Sequence, residues 1–447
     1  MKKLIALLVV FSTLASLAAC AGDKASETAT LEPTLSVTET LGETAQTEEE
    51  TESVDDGIRV YSKVDDPLTR AKLDAIPIAN SSMSIDELRD ICVRYFKLAV
   101  SFQWIPDGDM ILEGETDPYR SFTEGVLYGG IPYINTASGN LYRILEYYDE
   151  ETGILDTSWL GKHPDLFGNA CSGSAGWAWY RVINSAEISW THSINAAHGF
   201  VPVGPYKYDP NYQHIWTTVN GTRVYEYSNK TICKNNGKQV MFESYALTLP
   251  ADCYGSNGHV RMAAEKPVVV RKEDGTIDGN ASYIILVEQG LYNTSDAHKR
   301  VTSDGTVYRI RGNDGGKWTF EQLYKDGYIP HTFKEFLGQD PIEPGEATIE
   351  HSGPTASSRD LAKGNLKATY PISDVFTTVY DKDGKAVLAY KYRSERHFVK
   401  SIALAECIPF SYFSKYQANS DHTVEIKAQI ANGELITVYS GTLIPPQ

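Results

Sequence analysis

The chemistry this sequence offers rests on a thiol, an imidazole and a carboxylate, met in that order along the chain. Cys171 lies in Asn169-Ala170-Cys171-Ser172-Gly173-Ser174-Ala175-Gly176-Trp177-Ala178-Trp179, with small residues on both sides of the thiol. His259 follows in Gly258-His259-Val260, and Glu288 comes near the end of Tyr283-Ile284-Ile285-Leu286-Val287-Glu288-Gln289. A thiol attacks as its thiolate. A neighbouring imidazole takes the proton and later gives it to the leaving amine. A third polar group selects the imidazole tautomer and stabilises its charged form. Cys171 as nucleophile, His259 as base and Glu288 as orienter would together perform acyl transfer on an amide or peptide bond. The competing reading is structural: free cysteine often packs as a small apolar residue, and strand histidines and glutamates are common.

Such a site needs a helix under the thiol and a sheet under the other two groups. An aromatic-rich helix is expected to begin at Cys171, so that its positive end and free N–H groups favour the thiolate; Trp177, Trp179, Tyr180 and Trp190 read as core. Upstream, Ser84-Ile85-Asp86-Glu87 is a capping box. Behind it Ile85, Leu88, Ile91, Cys92, Tyr95, Phe96 and Ala99 recur at helical spacing, which predicts an amphipathic helix of about 16 residues. Residues 258–262, 267–270 and 283–289 read as strands. A two-residue turn at Asp274-Gly275 would pair His259 with Gly290. Glu288 then becomes the diagonal neighbour of His259 on the same face, with Gln289 on the other. Proline cannot donate to the ladder, so a bulge at Lys266-Pro267 would shift this register; Glu288 is favoured and Gln289 stays open. Residues 318–338 read as a helix, a turn and a short closing helix. Further on, strand-like runs 375–381 and 386–393 flank Asp383-Gly384, and runs 423–431 and 434–441 flank Asn432-Gly433, two hairpin signals. They predict a small antiparallel β domain, with a sandwich as one form, starting near residue 345.

With Gly130-Ile131-Pro132-Tyr133 upstream, the motifs Ala170-Cys171-Ser172-Gly173 and Gly258-His259-Val260 resemble those of the NlpC-type cell-wall endopeptidases. These are papain-like cysteine peptidases related to the CHAP amidases. The likeness spans roughly residues 120–290 and rests on three short motifs. It implies a papain-like domain that hydrolyses peptide bonds of peptidoglycan stems or cross-bridges, commonly the γ-D-glutamyl to diamino-acid bond. It implies Cys171 as nucleophile, His259 as base and Tyr133 in the oxyanion site; Ser172 is expected beside it on the oxyanion and substrate side. Glu288 matches the glutamate of the CHAP pattern. The chain differs at Ala170, where the family usually has Asp, and in its glutamate, where His, Asn or Gln is usual. The long separation of Cys171 from His259 implies an insertion near 190–240. His192, His198 and His214 lie in it and read as surface or core residues.

Composition narrows the remaining choices. The chain has 447 residues, 42% of them apolar, and a formal net charge of −17. That balance argues against a nucleic-acid partner, which needs basic patches. Residues 21–57 carry 11 Asp/Glu against one Lys and no aromatic residue, so this segment reads as an extended acidic tether. Before it, Lys2 and Lys3 precede an apolar run from Leu4 to Leu17 that is short for a membrane span. The run ends in Leu17-Ala18-Ala19-Cys20, which resembles the lipobox of bacterial lipoproteins; that resemblance implies cleavage before Cys20 and lipidation of its thiol. An ordinary secretory signal is the alternative. Five cysteines then remain, an odd number that points to at least one free thiol; Cys233 and Cys253 are a candidate disulfide pair. No Cys-x-x-Cys or His-Glu-x-x-His spacing occurs, and neither a metal nor a cofactor is expected.

The organisation expected is a lipoprotein signal over 1–19, a tether over 20–57, a papain-like (NlpC-type) cysteine peptidase domain over 58–344 and a C-terminal β domain over 345–447. The fold class is α+β. The protein is expected on the outer face of the bacterial cytoplasmic membrane, held by its lipid anchor at Cys20, with peptidoglycan peptides as partners. An amidase or transpeptidase on the same scaffold, and a non-catalytic wall-binding or adhesive lipoprotein on a degenerate peptidase fold, stay open beside this reading.

Overall fold

The thiol-bearing segment folds as expected into a helix, and that helix packs between another helix and a sheet. In the computed structural model the described residues are 54–55, 58–112, 121–134, 139–160, 163, 167–188, 198–207, 215–219, 222–290, 299–310, 312–350, 355–393, 398–408 and 422–444. The signal over 1–19, Cys20, the tether up to residue 53, and Trp190, His192 and His214 lie outside them. The architecture is α+β. Glu50–Gln447 form one compact unit.

Helix α1, Ile85–Ser101, starts at the capping box: Ser84 accepts from Glu87 N–H and the Glu87 carboxylate accepts from Ser84 N–H. Helix α2, Cys171–Trp179, is buried along its whole length and carries only small and aromatic residues with no charge, as a core helix does. A six-stranded sheet supports both. Its strands are β1 Phe200–Pro202, β2 Cys253–Gly255, β3 Val260–Ala263, β4 Tyr283–Gln289, β5 Gly312–Thr319 and β6 Ile329–Phe333. Their spatial order is β5-β4-β3-β2-β6-β1, and every pair is antiparallel. One apolar cluster joins Ile91, Cys92 and Phe96 of α1, Ala175 and Trp179 of α2, and Val260, Met262 and Val287 of the sheet. Trp177, Trp179 and Tyr180 are core residues, as expected.

Three expectations need correction. Residues 267–270 form no strand: Val268 pairs with Tyr283 only in an isolated bridge, and Val268, Val269 and Val270 stay exposed. Their β-branched content never enters a buried, paired surface, and strand propensity depends on one. The turn expected within 318–338 is strand β6. Pro330 does not prevent a strand there, because proline removes only a donor. Its carbonyl still accepts from Val203 N–H and the Tyr206 hydroxyl. Cys233 and Cys253 form no disulfide; both are free, buried thiols.

Beyond the extended residues 341–346 the chain builds two further sheets. The larger contains β7 Thr355–Ser357, β8 Ile372–Tyr380, β9 Ala386–Arg393, β10 Thr423–Ile430 and β11 Leu435–Ile444, ordered β7-β11-β10-β8-β9. The smaller joins Ala347–Ile349, Asn365–Ala368 and Ser401–Ala403. Both hairpins form where Asp383-Gly384 and Asn432-Gly433 signalled them. The two sheets share an apolar cluster that includes Leu366, Ile402, Val375 and Val424.

Candidate active site

Cys171 is the first residue of α2. Its N-cap, Ala170, offers no side-chain hydrogen bond to the first turn, so the helix's N-terminal N–H groups are not occupied by a cap. The Ser172 and Val260 N–H groups act on the thiol and favour its charged form. Ser172 itself is buried in the first turn of the helix.

His259 immediately precedes β3, in the tight connection from β2. Ser256 N–H donates to His259 O at 2.8 Å, and His259 N–H donates to Ser256 Oγ at 3.2 Å, which fixes the backbone under the imidazole. Across the sheet, Met262 pairs with Val287 and Ala263 with Leu286. This is the register that the two-residue turn required, and Glu288 lies diagonal to His259. The route to it differs. Arg271 pairs with Ile277 and Val268 with Tyr283, where a simple hairpin would have set them against Asp278 and Ala281. The ladder shifts between Val268 and Arg271 and again, in the opposite direction, across Pro267, as a residue without a donor invites, and together the two shifts restore the register. A second irregularity, a bulge between Leu286 and Glu288, lies in the pairing of β4 with β5; bulges re-aim side chains beside functional sites.

The structure brings the three groups together. His259 Nε2 lies 2.6 Å from Glu288 Oε2. The other ring nitrogen, Nδ1, is left for the hydrogen bond between His259 and the Cys171 thiol. Glu288 accepts from Nε2–H, so a neutral imidazole presents Nδ1 as an acceptor for the thiol proton. All three groups are buried: Cys171 and Glu288 are 2% exposed and His259 is 9%.

Electrostatics follow from this line. Burial raises the thiol's pKa, but the charge and hydrogen bond of His259, with the two N–H groups, outweigh it and hold Cys171 below its ordinary value. Burial lowers His259, but Cys171 and then Glu288 push it up to about 9. Burial raises Glu288, but His259 and Arg261 hold it at about 2. The directions are those of a thiolate–imidazolium pair backed by a carboxylate. Cys92, Cys233, Cys253 and Cys407 show the contrast: they too are buried, and burial pushes each one up, Cys233 and Cys407 to about 12.

Sequence reasoning missed Arg261. It stands opposite Glu288 on β3, and its Nε donates to the same oxygen, Oε2, at 2.7 Å. Its guanidinium carbon lies 3.6 Å from the Trp318 ring centroid and 4.2 Å from that of Tyr328. Alternation from His259 two residues earlier would have found it. Gln289 faces the other side of the sheet, where its side-chain amide donates to Ile131 O. Tyr133 runs beside the thiol-bearing segment: it bridges Asn169, Asn169 N–H donates to Pro132 O at 3.0 Å, and Ile134 N–H donates to Asn169 O at 3.2 Å. Gly130 carries a φ of +73° and lies against the Val100 backbone, where any side chain would collide. Its N–H donates to Phe102 O at 2.7 Å, which ties the Gly-Ile-Pro-Tyr element to the end of α1. His198 is half-exposed beside Glu187. Among the described residues no group of three or more His, Cys, Asp or Glu gathers as a metal site. No protein-family model matches this chain, and no curated protein matches it.

Proposed function

We propose that this chain is a cysteine peptidase of the NlpC type, on a papain-like fold, that hydrolyses peptide bonds of peptidoglycan stems or cross-bridges. The observation that carries the reading is the buried Cys171–His259–Glu288 line, in which one of the five described thiols lies below its ordinary pKa while burial raises the others. In this mechanism Sγ of Cys171 attacks the carbonyl carbon as thiolate, and the uncapped N-terminal turn of α2 faces the oxygen that gains charge. The imidazolium of His259 gives its Nδ1 proton to the leaving amine, the C–N bond breaks, and a thioester remains. Water then attacks the thioester, its proton passing to the neutral His259, and Sγ departs as the thiolate, which releases the acid and restores the resting ion pair. Glu288 accepts from Nε2–H throughout and stabilises the charged imidazole. Tyr133 and Ser172 border the site as oxyanion and substrate groups. A lipid anchor at Cys20 and the acidic tether would hold the domain near its polymer.

The test is incubation with purified peptidoglycan and mass analysis of the released fragments. New free stem termini that disappear with Cys171→Ala support hydrolysis. Fragments joined to an added amine indicate transpeptidation instead. Intact polymer that binds the protein indicates the non-catalytic reading.

A further inference from the structure

Among the described residues only two non-glycine residues have a left-handed backbone, Ala251 with φ +67° and Phe398 with φ +47°. Both hold α2. Ala251 O accepts from the Trp179 indole N–H at 2.8 Å. Phe398 lies in the C-terminal β part, between β9 and Ser401–Ala403. Its ring stands 5.2 Å from that of Trp177 and 4.8 Å from that of Tyr180. Between those contacts is Gly176. A Cβ there would come within 2.6 Å of the Phe398 ring and 3.3 Å of Ile188 Cγ2. Two local rules are thus broken to make one contact: a glycine in mid-helix, and a bulky residue in the left-handed region. Strained backbone of this kind persists where the surrounding structure over-determines it, and it collects at functional sites.

The same part of the chain grips the residues that follow α2. The Tyr370 hydroxyl donates to Val182 O at 3.2 Å, and Lys400 Nζ donates to Asn184 O at 2.7 Å. Gly433, in the β10–β11 turn, lies against the Arg181 guanidinium.

We propose that the C-terminal β part is a working component of the thiol site: Phe398, seated on Gly176, braces α2 and fixes the Cys171 sulfur against His259. Phe398 touches no reacting atom; it is a positioning residue. The inference rests on Cys171 being the reactive thiol, but it does not need peptidoglycan to be the substrate. A displacement of the sulfur weakens the hydrogen bond to His259, and with it both the thiolate fraction and the attack geometry.

The test is the rate at which iodoacetamide alkylates Cys171 in the full chain, followed by mass analysis across pH. Phe398→Ala and Gly176→Ala should each slow alkylation by about tenfold and move its half-maximal pH upward, since misplacement of about 1 Å costs up to ~10²-fold in rate. The double variant should be faster than either single one, because the new methyl occupies part of the space the ring leaves. Val379→Ala, which weakens the β part from within its own core, should stay within about twofold of wild type. The proposal is overturned if Phe398→Ala keeps the wild-type rate and pH midpoint, if the two losses multiply, or if Val379→Ala slows alkylation equally. Phe398→Tyr retains the ring and should keep the wild-type rate and midpoint; a slow Phe398→Tyr would likewise overturn the proposal. Absence of peptidoglycan cleavage by a wild type whose alkylation follows this pattern would reject the substrate assignment and leave the brace standing.

Discussion

Glu288→Gln separates the charge of the site from its geometry. His259 Nε2 and Arg261 Nε both reach one carboxylate oxygen, Oε2, at 2.6 and 2.7 Å. A glutamine with its carbonyl oxygen in that place keeps both hydrogen bonds and removes only the charge. The opposite orientation would set an NH2 group against two N–H donors, so the first is favoured. A hydrogen bond to a charged group contributes ~1.5–3 kcal/mol and a neutral one ~0.5–1.5, so the bond from His259 weakens by about 1–2 kcal/mol. Loss of direct attraction between carboxylate and imidazolium adds a further ~1–2 kcal/mol in this partly screened setting. Together, about 3 kcal/mol corresponds to a loss of about 10²-fold in kcat. That is smaller than the ~10⁴ known for amide replacement of a triad carboxylate that upsets the tautomer, since here the acceptor survives. The sign in pH is also fixed. The imidazolium is destabilised, so the alkaline limb moves down from about 9, while the acid limb, where the thiol ionises beside an imidazolium charged before and after, does not move up. The assay is the pH profile of kcat and of Cys171 alkylation, with thermal unfolding in parallel because Arg261 keeps its charge between Trp318 and Tyr328. Turnover within about threefold of wild type, with the alkaline limb unmoved, would refute the role given to Glu288.

Cys171→Ala should abolish turnover while near-ultraviolet circular dichroism stays native, since a methyl fits the buried site; retained turnover would place the nucleophile elsewhere. Gln289→Ala strands the carbonyl of Ile131 and should lower stability by ~1–3 kcal/mol in urea unfolding, with a smaller effect on kcat than Glu288→Gln; the reverse order would exchange their roles. Glu288 is held at about 2, below its ordinary 4.5. Its contribution to stability is therefore complete above about 4.5 and is lost as pH falls towards about 2. Wild type should lose more urea resistance than Glu288→Gln between pH 5 and 2, and parallel curves would contradict this.

The candidate site residues were legible because each sits beside a local signal. Small residues flanked Cys171, a turn set His259 at a strand mouth, and the β-branched run 283–289 placed Glu288 by alternation. The register follows by a longer route than a two-residue turn: the turn at Asp274-Gly275 is not a simple hairpin, and two opposite shifts, one between Val268 and Arg271 and one across Pro267, restore it. Ser84 to Ser101 could be read to within two residues because cap and periodicity agree there. What the sequence hid was non-local. Strand β6 is made by pairing on both sides, with Cys253–Gly255 and Phe200–Pro202, and Pro330 masks it. Arg261 is buried only because Trp318 and Tyr328, far along the chain, close over it. Phe398 carries no signal at all, since its partner Gly176 lies far back in the chain.

The peptidase assignment requires that Cys171 be a thiolate in the resting protein, its proton held by His259. Competitive alkylation of the native chain by iodoacetamide, read by mass spectrometry at each cysteine from pH 4 to 10, tests it most directly. Cys171 should label with a midpoint below that of an ordinary thiol, and His259→Ala should move that midpoint upward. Cys92, Cys233, Cys253 and Cys407 should label only on unfolding. If Cys171 stays as inert as those four across that range, or labels with an ordinary midpoint that His259→Ala leaves in place, the ion pair does not exist and the peptidase assignment falls with it.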